Sequence, residues 1–309
     1  MKINDKTPLS DNPCLFASEP LDRASARRSD PGWVASELAK DTSVLIPLYR
    51  GDPLMSDDGP VFLSAAAQSE FHQSATTVFL GQEGQTAYFA IDASDAPAPE
   101  AAPFADIGSY MPLRDAAAKL AERDLSMIGQ GRWFLDWHFR HRHCARCGAE
   151  TLVADGGAKR HCETCGAEHF PRSNPVAIVL AIHEDACLLG RSPHFPPGFL
   201  SALAGYVEAA ETPEECAIRE LREEAGVNLD NVRYQFSQPW PFTSSLMMGF
   251  FADAASRDLS LDETEVIEAK WIARNDVAAL VKGESHDDVR LPPRFTIARQ
   301  LIERWVSAP

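Results

Sequence analysis

Residues 205–227 read GYVEAAETPEECAIRELREEAGV, and this segment decides how the whole chain is interpreted. It follows the pattern G-x5-E-x7-R-E-U-x-E-E-x-G-U, in which U is a bulky aliphatic residue. Every fixed position of the pattern is filled, by Gly205, Glu211, Arg219, Glu220, Leu221, Glu223, Glu224, Gly226 and Val227. Several carboxylates in one short segment can hold a divalent cation against phosphate groups. The segment therefore predicts metal-dependent chemistry on a diphosphate.

The segment is predicted to form a loop followed by a helix, and local signals mark the ends of that helix. Thr212 is a favourable N-cap, Pro213 suits the first helical position, and Glu215 completes a capping box. Gly226 suits the C-terminal stop, where a left-handed residue is common. We therefore expect the helix to begin at Pro213 and to end before Gly226.

Three acidic residues of this helix are expected to form a cation site. At about 100° per residue, Glu220, Glu223 and Glu224 share an arc of about 100°. Arg219 lies four residues before Glu223 and can orient its carboxylate. Like charges repel in an empty helix, and Mg²⁺ or Mn²⁺ would relieve that repulsion. The alternative is a solvated acidic helix, which leaves the matching glycines, Glu211 and Arg219 without a reason.

Length and charge narrow the class of protein. The chain has 309 residues, enough for two or more domains, and its formal net charge of −16 does not favour nucleic acid as a partner. No stretch is apolar and long enough to span a bilayer, and MKINDKTPLSDN at the N-terminus has no apolar signal core. These features predict a cytoplasmic protein with no membrane association.

Four of the seven cysteines form a separate module. Cys144-Ala-Arg-Cys147 and Cys162-Glu-Thr-Cys165 are paired C-x2-C knuckles, each followed by a glycine that permits a tight turn. Four thiolates suit tetrahedral zinc, and a site without an open coordination position is structural. A redox dithiol would need only one pair. The remaining cysteines are expected to be small buried hydrophobes, at Cys14, Cys187 and Cys216.

The cysteine module is also locally basic. Its cationic residues are Arg140, Arg142, Arg146, Lys159 and Arg160. Such a group could attract nucleotide phosphates or RNA. The alternative, which we favour, is a charged face that offsets an acidic protein.

Alternating patterns predict the remaining elements. TSVLIPLYR, PVFLS and the hairpin TTVFL–TAYFAIDA suggest an α+β unit at the N-terminus, followed by a helix from about Pro112 that is interrupted or bent near Gly129–Gly131. Downstream, strands on both sides of the central helix and a closing helix suit a layered α/β/α domain. The predicted fold is thus α+β and α/β: an N-terminal α+β domain with linker and helices at 1–139, a zinc ribbon at 140–172 and an α/β/α sandwich at 173–309.

With these features together, the chain resembles the NADH pyrophosphatases, a branch of the Nudix hydrolases. The resemblance covers roughly residues 130–305 and has a weaker match upstream. It rests on the cysteine module leading into His169-Phe-Pro-Arg-Ser-Asn-Pro175, on the segment at 205–227, which is the Nudix box, and on Ser237-Gln-Pro-Trp-Pro-Phe-Thr-Ser-Ser-Leu-Met247, which we call the recognition segment. The segment is similar to the family motif SQPWPFPxSLM, which implies recognition of a dinucleotide.

The resemblance implies further site residues. Glu265 corresponds to a metal-binding glutamate, so the catalytic acids would be Glu220, Glu223, Glu224 and Glu265. Ala204 corresponds to a position whose backbone carbonyl binds metal. The substrate positions implied by the family or by side-chain chemistry are Phe170, Tyr206, Gln238, Pro239, Trp240, Pro241, Phe242, Thr243, Ser244, Ser245 and Ala298. Within this set, the aromatic rings can stack on a base and the amide and hydroxyl groups can form hydrogen bonds.

The chain departs from the family pattern at four positions. Thr243 replaces a usual proline, Phe170 a usual tyrosine, and Ile272 a usual aromatic residue after Trp271. Ala210 replaces a glycine, and here we expect a locally altered turn without loss of metal binding. The differences at Thr243, Phe170 and Ile272 concern substrate preference and leave the reaction type unchanged.

The motifs therefore predict an enzyme with structural zinc and catalytic Mg²⁺ or Mn²⁺, and the resemblance implies that it is a homodimer. It would hydrolyse the pyrophosphate of NADH or NAD⁺ to nicotinamide mononucleotide and AMP. NAD would be the substrate and not a redox cofactor, because the chain lacks a Rossmann glycine fingerprint. One alternative is removal of the NAD cap from RNA, which breaks the same bond. Another is a non-enzymatic nucleotide sensor or nucleic-acid-binding regulator, for which a complete set of acids has no use.

Overall fold

The computed structural model describes residues 12–18, 21–242, 244–284 and 288–308. These residues divide into two compact units. The first, the Nudix unit, contains residues 12–17, Ser173–Trp240 and 245–308. The second, the N-terminal unit, contains the described part of Ser18–Arg172 together with Pro241, Phe242 and Ser244.

Both units contain helices and strands. The helices are α1 (Pro31–Leu38), α2 (Leu113–Ala116), α3 (Glu122–Arg140), α4 (Pro213–Ala225), α5 (Arg274–Lys282) and α6 (Ile297–Ser307). The strands are β1 (Val44–Tyr49), β2 (Asp52–Ser56), β3 (Gly59–Pro60), β4 (Leu63–Ser64), β5 (Thr77–Glu83), β6 (Thr86–Asp92), β7 (Ser109–Tyr110), β8 (Leu152–Ala154), β9 (Lys159–His161), β10 (Glu168–His169), β11 (Asn174–His183), β12 (Ala186–Arg191), β13 (Leu203–Tyr206), β14 (Leu229–Trp240), β15 (Ser245–Ala254) and β16 (Glu268–Ala273). Within the described residues, no helix combines the length and the apolar character that crossing a membrane requires.

The N-terminal unit contains a sheet with the strand order β3-β2-β1-β6-β5, in which β4 also pairs with β1 and β7 with β2. The predicted hairpin is confirmed as β5 and β6, which pair antiparallel. The predicted strand PVFLS is wrong as one continuous element, because Val61 and Phe62 lie outside the short strands β3 and β4. The cysteine module follows as a small antiparallel sheet in the order β10-β9-β8.

Of the predicted interruption or bend near Gly129–Gly131, the interruption is wrong. Helix α3 runs through both glycines, and the break lies earlier, between α2 and Glu122. A Cβ at position 131 would lie 2.8 Å from the Ala90 Cβ of β6, so this glycine lets the helix approach the sheet closely. Helix α3 begins with Glu122 and Asp124 in its first turn, where negative charge is favourable.

The Nudix unit has the predicted α/β/α layers. Its mixed sheet follows the order β14-β15-β11-β12-β16, with β13 paired to β11, and β11 and β15 are parallel. Alternate residues of β11 face opposite sides, because side chains of a strand alternate. Ile178 and Leu180 pack in the core that contains Leu301 of α6. Val179 packs on the other side with Leu221 of α4.

The N-terminal segment 12–17 belongs to the Nudix unit, whereas the sequence suggested an N-terminal domain from residue 1 to 139. Cys14 is fully buried in the core beneath α6. The Asn12 side chain donates to the Ser237 carbonyl oxygen at 2.8 Å. Nothing in the local pattern of residues 12–17 indicates a partner so distant in sequence. Cys14, Cys187 and Cys216 are buried, as predicted.

Candidate active site

Helix α4 positions the acidic residues, and its predicted ends are confirmed. The Thr212 hydroxyl accepts from the Glu215 N–H at 3.2 Å, and the Glu215 carboxylate accepts from the Thr212 N–H at 2.8 Å. Pro213 opens the helix, and Gly226 closes it with φ of 71°. These reciprocal bonds satisfy backbone donors that the first turn leaves open. The carboxylates further along are therefore carried on a fixed helix.

Three carboxylates converge beside this helix. One oxygen from each of Glu220, Glu224 and Glu265 lies within 4.8 Å of the others. Glu224 is 8 % exposed, and Glu265 is an exposed residue of the segment before β16. Gly205 of β13 faces the Glu220 carboxylate, which occupies the space that a Cβ at position 205 would need. Residues from two separate segments thus form a single acidic site, which we call the acid cluster.

The acid cluster has the electrostatics of a cation site. Burial, together with the charges of Glu220, Glu265 and Glu223, raises the pKa of Glu224 to about 8. Burial also raises the pKa of Glu220. The buried Glu224 Oε2 has no hydrogen-bond partner among the described residues. An unpaired carboxylate oxygen beside two further carboxylates fits a hard divalent cation with oxygen ligands.

Arg219 organises the acids on the other side of α4. It makes two bonds to the Glu211 carboxylate, at 2.7 and 2.9 Å, and it also donates to Glu220 at 2.8 Å. The predicted contact with Glu223 is present at 3.1 Å. The guanidinium lowers the pKa of Glu211 to about 2, first through these hydrogen bonds. Arg219 therefore fixes Glu220 and Glu223, and Glu211 in turn holds Arg219.

Trp240 is a half-buried residue at the end of β14, where it belongs to an aromatic group. Its ring is nearly parallel to that of Phe295, with planes 12° apart and centroids 6.1 Å apart. The Phe16 ring meets it edge-on at 6.5 Å. Sequence analysis identified neither partner, because each lies far from Trp240 in the chain. The three rings pack together, with Phe16 buried and Trp240 and Phe295 half-buried.

Gln238 was predicted to offer hydrogen bonds to substrate, and the structure gives it another role. Its side chain is fully buried, and its amide nitrogen donates to the carbonyl oxygens of Leu15 and Phe295 at 3.1 and 2.7 Å. Its amide oxygen accepts from the Ile297 N–H at 2.8 Å. Because both amide hydrogens are used internally, Gln238 ties the N-terminal segment and the start of α6 to β14.

The described residues of the loop after Trp240, which are Pro241, Phe242 and Ser244, belong to the N-terminal unit. Phe242 is buried, and the guanidinium carbons of Arg114 and Arg132 lie 4.7 and 5.2 Å from its ring centre. The ring therefore already has cation–π partners, a different arrangement from the open stacking face that we predicted. Ser244 is also buried. Thr243 lies outside the described residues.

The other predicted substrate positions differ widely in exposure. Phe170 and Tyr206 are 62 % and 56 % exposed, so their rings are accessible to a ligand. Ala298, in the first turn of α6, is part of the core at 5 % exposure, and Ser245 is buried at the start of β15. The remaining predicted positions are Pro239, which is half-buried, Pro241, which is buried, and Ala204, which is half-buried in β13.

The cysteine knuckles bring their four sulfurs together. The Sγ atoms of Cys144, Cys147, Cys162 and Cys165 all lie within 4.8 Å of one another. The two knuckles have the same backbone bonds: Gly148 N–H donates to the Cys144 carbonyl and Gly166 N–H to the Cys162 carbonyl, each at 2.8 Å. Both glycines have positive φ, as the predicted tight turns require. Four thiolates in this arrangement suit structural zinc.

One neighbour of this zinc site was not predicted from the sequence. The Nε2 atom of His169 lies 3.3 Å from the Cys144 Sγ. Hydrogen bonds to ligating groups orient them and tune the metal. The residue could have been found from its place in β10, which pairs with β9 beside the second knuckle.

Three of the five basic residues of the module have partners within the protein, whereas Arg142 and Arg146 are exposed. Arg160 is 6 % exposed, and its side chain donates to the Thr151 hydroxyl at 2.6 Å. Arg140 pairs with Asp136 at 2.9 Å and Lys159 with Glu168 at 2.7 Å. These contacts support the alternative that we favoured, in which the charges serve the protein itself.

Comparisons with known proteins agree with the three motifs. Family models match residues 42–137 as an NADH pyrophosphatase-like rudimentary NUDIX domain, residues 140–170 as an NADH pyrophosphatase zinc ribbon domain and residues 172–294 as a NUDIX domain. The chain is 30 % identical to the NAD-capped RNA hydrolase NUDT12 of Homo sapiens, over 94 % of this chain and 73 % of that protein. It is 34 % identical to the NAD-capped RNA hydrolase NudC of Mycobacterium tuberculosis (strain ATCC 25177 / H37Ra), over 95 % of both.

A solved structure is also similar. The crystal structure of a NUDIX hydrolase from Nitrosomonas europaea covers 54 % of this chain and 94 % of its own, with a TM-score of 0.42 and 21 % identity. The family models and the curated relatives confirm the resemblance predicted from the sequence motifs.

Proposed function

The chain belongs to the Nudix hydrolases that carry an NADH pyrophosphatase zinc ribbon, and we propose that it hydrolyses the pyrophosphate bond of NADH or NAD⁺. The products are nicotinamide mononucleotide and AMP. The observation that carries the proposal is the acid cluster of Glu220, Glu224 and Glu265, with its unpaired Glu224 oxygen. The recognition segment, which follows the Nudix box in the sequence, supports a dinucleotide as the substrate.

We assign the cation to the acid cluster. Glu220, Glu224 and Glu265 would hold Mg²⁺ or Mn²⁺, and the Ala204 backbone carbonyl, next to Gly205, would complete the ligand set. When bound, such a cation supplies positive charge against the diphosphate and lowers the pKa of water. Arg219 keeps Glu220 and Glu223 in place through its bonds at 2.8 and 3.1 Å. One of the four acids acts as general base or orients the attacking water.

Substrate recognition is assigned to accessible rings. Trp240 and its stacked partner Phe295 offer an aromatic surface, and Tyr206 and Phe170 are exposed aromatic side chains. Flat bases stack favourably on such rings, whereas the acids act on a diphosphate that many nucleotides share. Selectivity among dinucleotides therefore depends on the rings and turnover on the acids.

Removal of the NAD cap from RNA is the second candidate. The similar proteins of Homo sapiens and Mycobacterium tuberculosis are named NAD-capped RNA hydrolases, and cap removal breaks the same bond with the same acids. The net charge of −16 argues against a large RNA-binding surface, and so do the contacts that Arg140, Lys159 and Arg160 make within the protein. Cap removal is still compatible with these charges, because a contact with the NAD cap and the nucleotides next to it needs no large RNA-binding surface.

A side-by-side assay tests the proposal. Purified protein is given free NADH, NAD⁺ and NAD-capped RNA at matched concentrations, with Mg²⁺ and with Mn²⁺, and kcat/KM is measured for each. Release of nicotinamide mononucleotide and AMP from NADH is the expected result. A protein that binds these compounds and cleaves none would instead be a nucleotide sensor or regulator. The Glu224→Gln variant is the control for contaminating hydrolases.

Three further assignments belong to the same proposal. The zinc is structural and stays bound during turnover. The chain is cytoplasmic. It forms a homodimer, which we infer from the family resemblance. A monomer mass by light scattering at micromolar concentration would contradict the dimer.

A further inference from the structure

Arg132 of α3 connects several parts of the N-terminal unit to the loop that follows Trp240. Its Nη1 donates to the Asp52 Oδ1 at 2.8 Å, and its Nε donates to the Pro241 carbonyl oxygen at 3.0 Å. Its guanidinium carbon also lies 5.2 Å from the centre of the Phe242 ring. One planar side chain thus makes an ion pair, a backbone hydrogen bond and a cation–π contact.

The surroundings of Arg132 are shaped to hold it. Gly51 has φ of +82°, and a Cβ at that position would lie 2.7 Å from the Arg132 Cγ. The same Asp52 oxygen that accepts from Arg132 also accepts from the Leu113 N–H at 3.1 Å, at the start of α2. The Arg132 side chain is only 21 % exposed. This arrangement differs from an ordinary surface ion pair, which is exposed and weak.

The loop that Arg132 contacts contains an energetically unfavourable backbone conformation, which outside contacts can stabilise. It joins Trp240 at the end of β14 to Ser245 at the start of β15, and these two residues are paired across the strands. Ser244 has φ of +62°, a conformation that costs free energy for a residue with a side chain. Pro241 cannot donate a backbone hydrogen bond, so its carbonyl is the group by which its backbone can be held.

We propose that Arg132 is a positioning residue for substrate recognition. By fixing the Pro241 carbonyl and the Phe242 ring, it fixes the backbone that carries Trp240 next to it in the chain. Arg132 itself touches no reacting atom. The inference rests on the proposed function, because it concerns the selectivity of the same hydrolysis.

Three variants of the full-length protein test this assignment. Arg132→Ala removes all the contacts. Arg132→Lys keeps a positive charge for Asp52 but lacks the planar fork that also reaches Pro241. Arg123→Ala is the matched control, because Arg123 lies on the same helix and pairs with Glu83 at 2.7 Å on the surface. For each, kcat and KM are measured with the dinucleotide that the wild type prefers and with ADP-ribose, alongside Tm.

The selectivity ratio is kcat/KM for the preferred dinucleotide divided by that for ADP-ribose. We expect both Arg132 variants to lower it by about five- to tenfold, through KM, because losing a hydrogen bond to a fixed loop has about that effect. The kcat with ADP-ribose should stay within about twofold of the wild type, since the acids are untouched, and Arg123→Ala should keep the wild-type ratio. Arg132→Lys should retain most of the Tm yet fail to restore selectivity, which a purely structural role would not produce.

Two results would overturn the assignment. One is a selectivity ratio within twofold of the wild type in folded Arg132→Ala and Arg132→Lys. The other is an equal loss in Arg123→Ala. Failure of the proposed function looks different: a wild type that cleaves another dinucleotide and not NADH contradicts the NADH proposal, while the ratio for that other dinucleotide still decides the role of Arg132.

Discussion

The Glu220 carboxylate of α4 lies directly against Gly205 of β13, in the space that a Cβ at position 205 would occupy. Gly205 is therefore needed for close approach, since its φ lies outside the left-handed region that favours glycine. The Arg219 Nη1 holds the same carboxylate from the other side at 2.8 Å. Together the two contacts fix the direction in which Glu220 enters the acid cluster.

Gly205→Ala should therefore impair catalysis more than folding. The new methyl displaces the Glu220 carboxylate, and misplacing a catalytic group by about 1 Å can cost about a hundredfold in rate. We expect kcat/KM to fall by about that factor and the affinity for Mn²⁺ to fall with it. Gly249→Ala in β15 is the matched control, because its Cβ would meet Leu301, at 3.1 Å, and no acid. Wild-type Mn²⁺ affinity in Gly205→Ala would contradict the explanation.

The local pattern of residues 205–227 sufficed to predict α4 and part of the acid cluster. Thr212, Glu215 and Gly226 act on backbone groups within a few residues, so their roles can be read from spacing alone. Glu220 and Glu224 lie one helical turn apart and are neighbours in any helix. Glu265 was identified only from the family resemblance, because no periodic pattern connects it with α4.

Contacts between distant segments could not be predicted in this way. Gln238 is polar and lies in the recognition segment, which suggested a substrate contact, yet its partners come from residues 15, 295 and 297. Arg160 was counted with the basic residues, but it is buried, and Thr151, the residue before β8, accepts hydrogen bonds from its guanidinium. Both side chains are occupied by tertiary structure that a single sequence does not specify.

Glu224→Gln should remove most turnover while the protein remains folded. Glutamine keeps the shape of glutamate but loses the negative charge that holds a divalent cation. The measurement is kcat with NADH and Mg²⁺ together with a thermal unfolding curve. Glu214→Gln on the exposed start of α4 is the control and should keep wild-type kcat. A near-normal kcat in Glu224→Gln would refute its assignment to the cation site.

The same residue predicts how pH affects the metal-free protein. The pKa of Glu224 is about 8 in the folded state, against 4.5 for an unperturbed glutamate. The protonated form therefore stabilises the fold below pH 4.5, and this contribution is lost as pH rises towards 8. With metal removed, the wild-type Tm should fall by several degrees over that interval, and Glu224→Gln should show a smaller fall. Equal pH profiles for the two proteins would refute the predicted pKa.

The zinc ribbon should contain one zinc per chain that survives removal of the catalytic cation. Cys162→Ser removes a thiolate from the four-sulfur group, and structural zinc binding is coupled to folding, so zinc content and Tm should both fall. Cys187→Ala, in the core of the Nudix unit, should lower Tm but keep the zinc. The zinc assignment would be contradicted if metal analysis of freshly purified wild-type protein showed no zinc and all four thiols of the ribbon reacted in a thiol titration.

Ala210→Gly should increase stability. Ala210 has φ of +65°, so the turn keeps a conformation that suits glycine although alanine replaces it. Relief of left-handed strain should raise the free energy of unfolding by about 1 kcal/mol, offset in part by the greater freedom of glycine in the unfolded chain. Ala209→Gly is the control, since its φ is not positive, and should lower stability. Chemical denaturation of the three proteins measures the differences, and a lower free energy of unfolding for Ala210→Gly would contradict the prediction.

Trp240→Ala should change which dinucleotide is cleaved more than how fast the bond breaks. The acids act on a diphosphate that NADH shares with ADP-ribose, so discrimination must come from contacts with the bases and riboses. Trp240 stacks on Phe295 and is only half-buried, which leaves part of its ring available to a base. Loss of an aromatic partner costs about 0.5–1.5 kcal/mol, or roughly two- to tenfold in binding. KM for NADH should rise by that factor, the preference over ADP-ribose should narrow, and kcat should change less. Steady-state kinetics on both substrates decide the matter: an unchanged ratio of kcat/KM would make Trp240 a packing residue and remove the main support for NADH as the substrate.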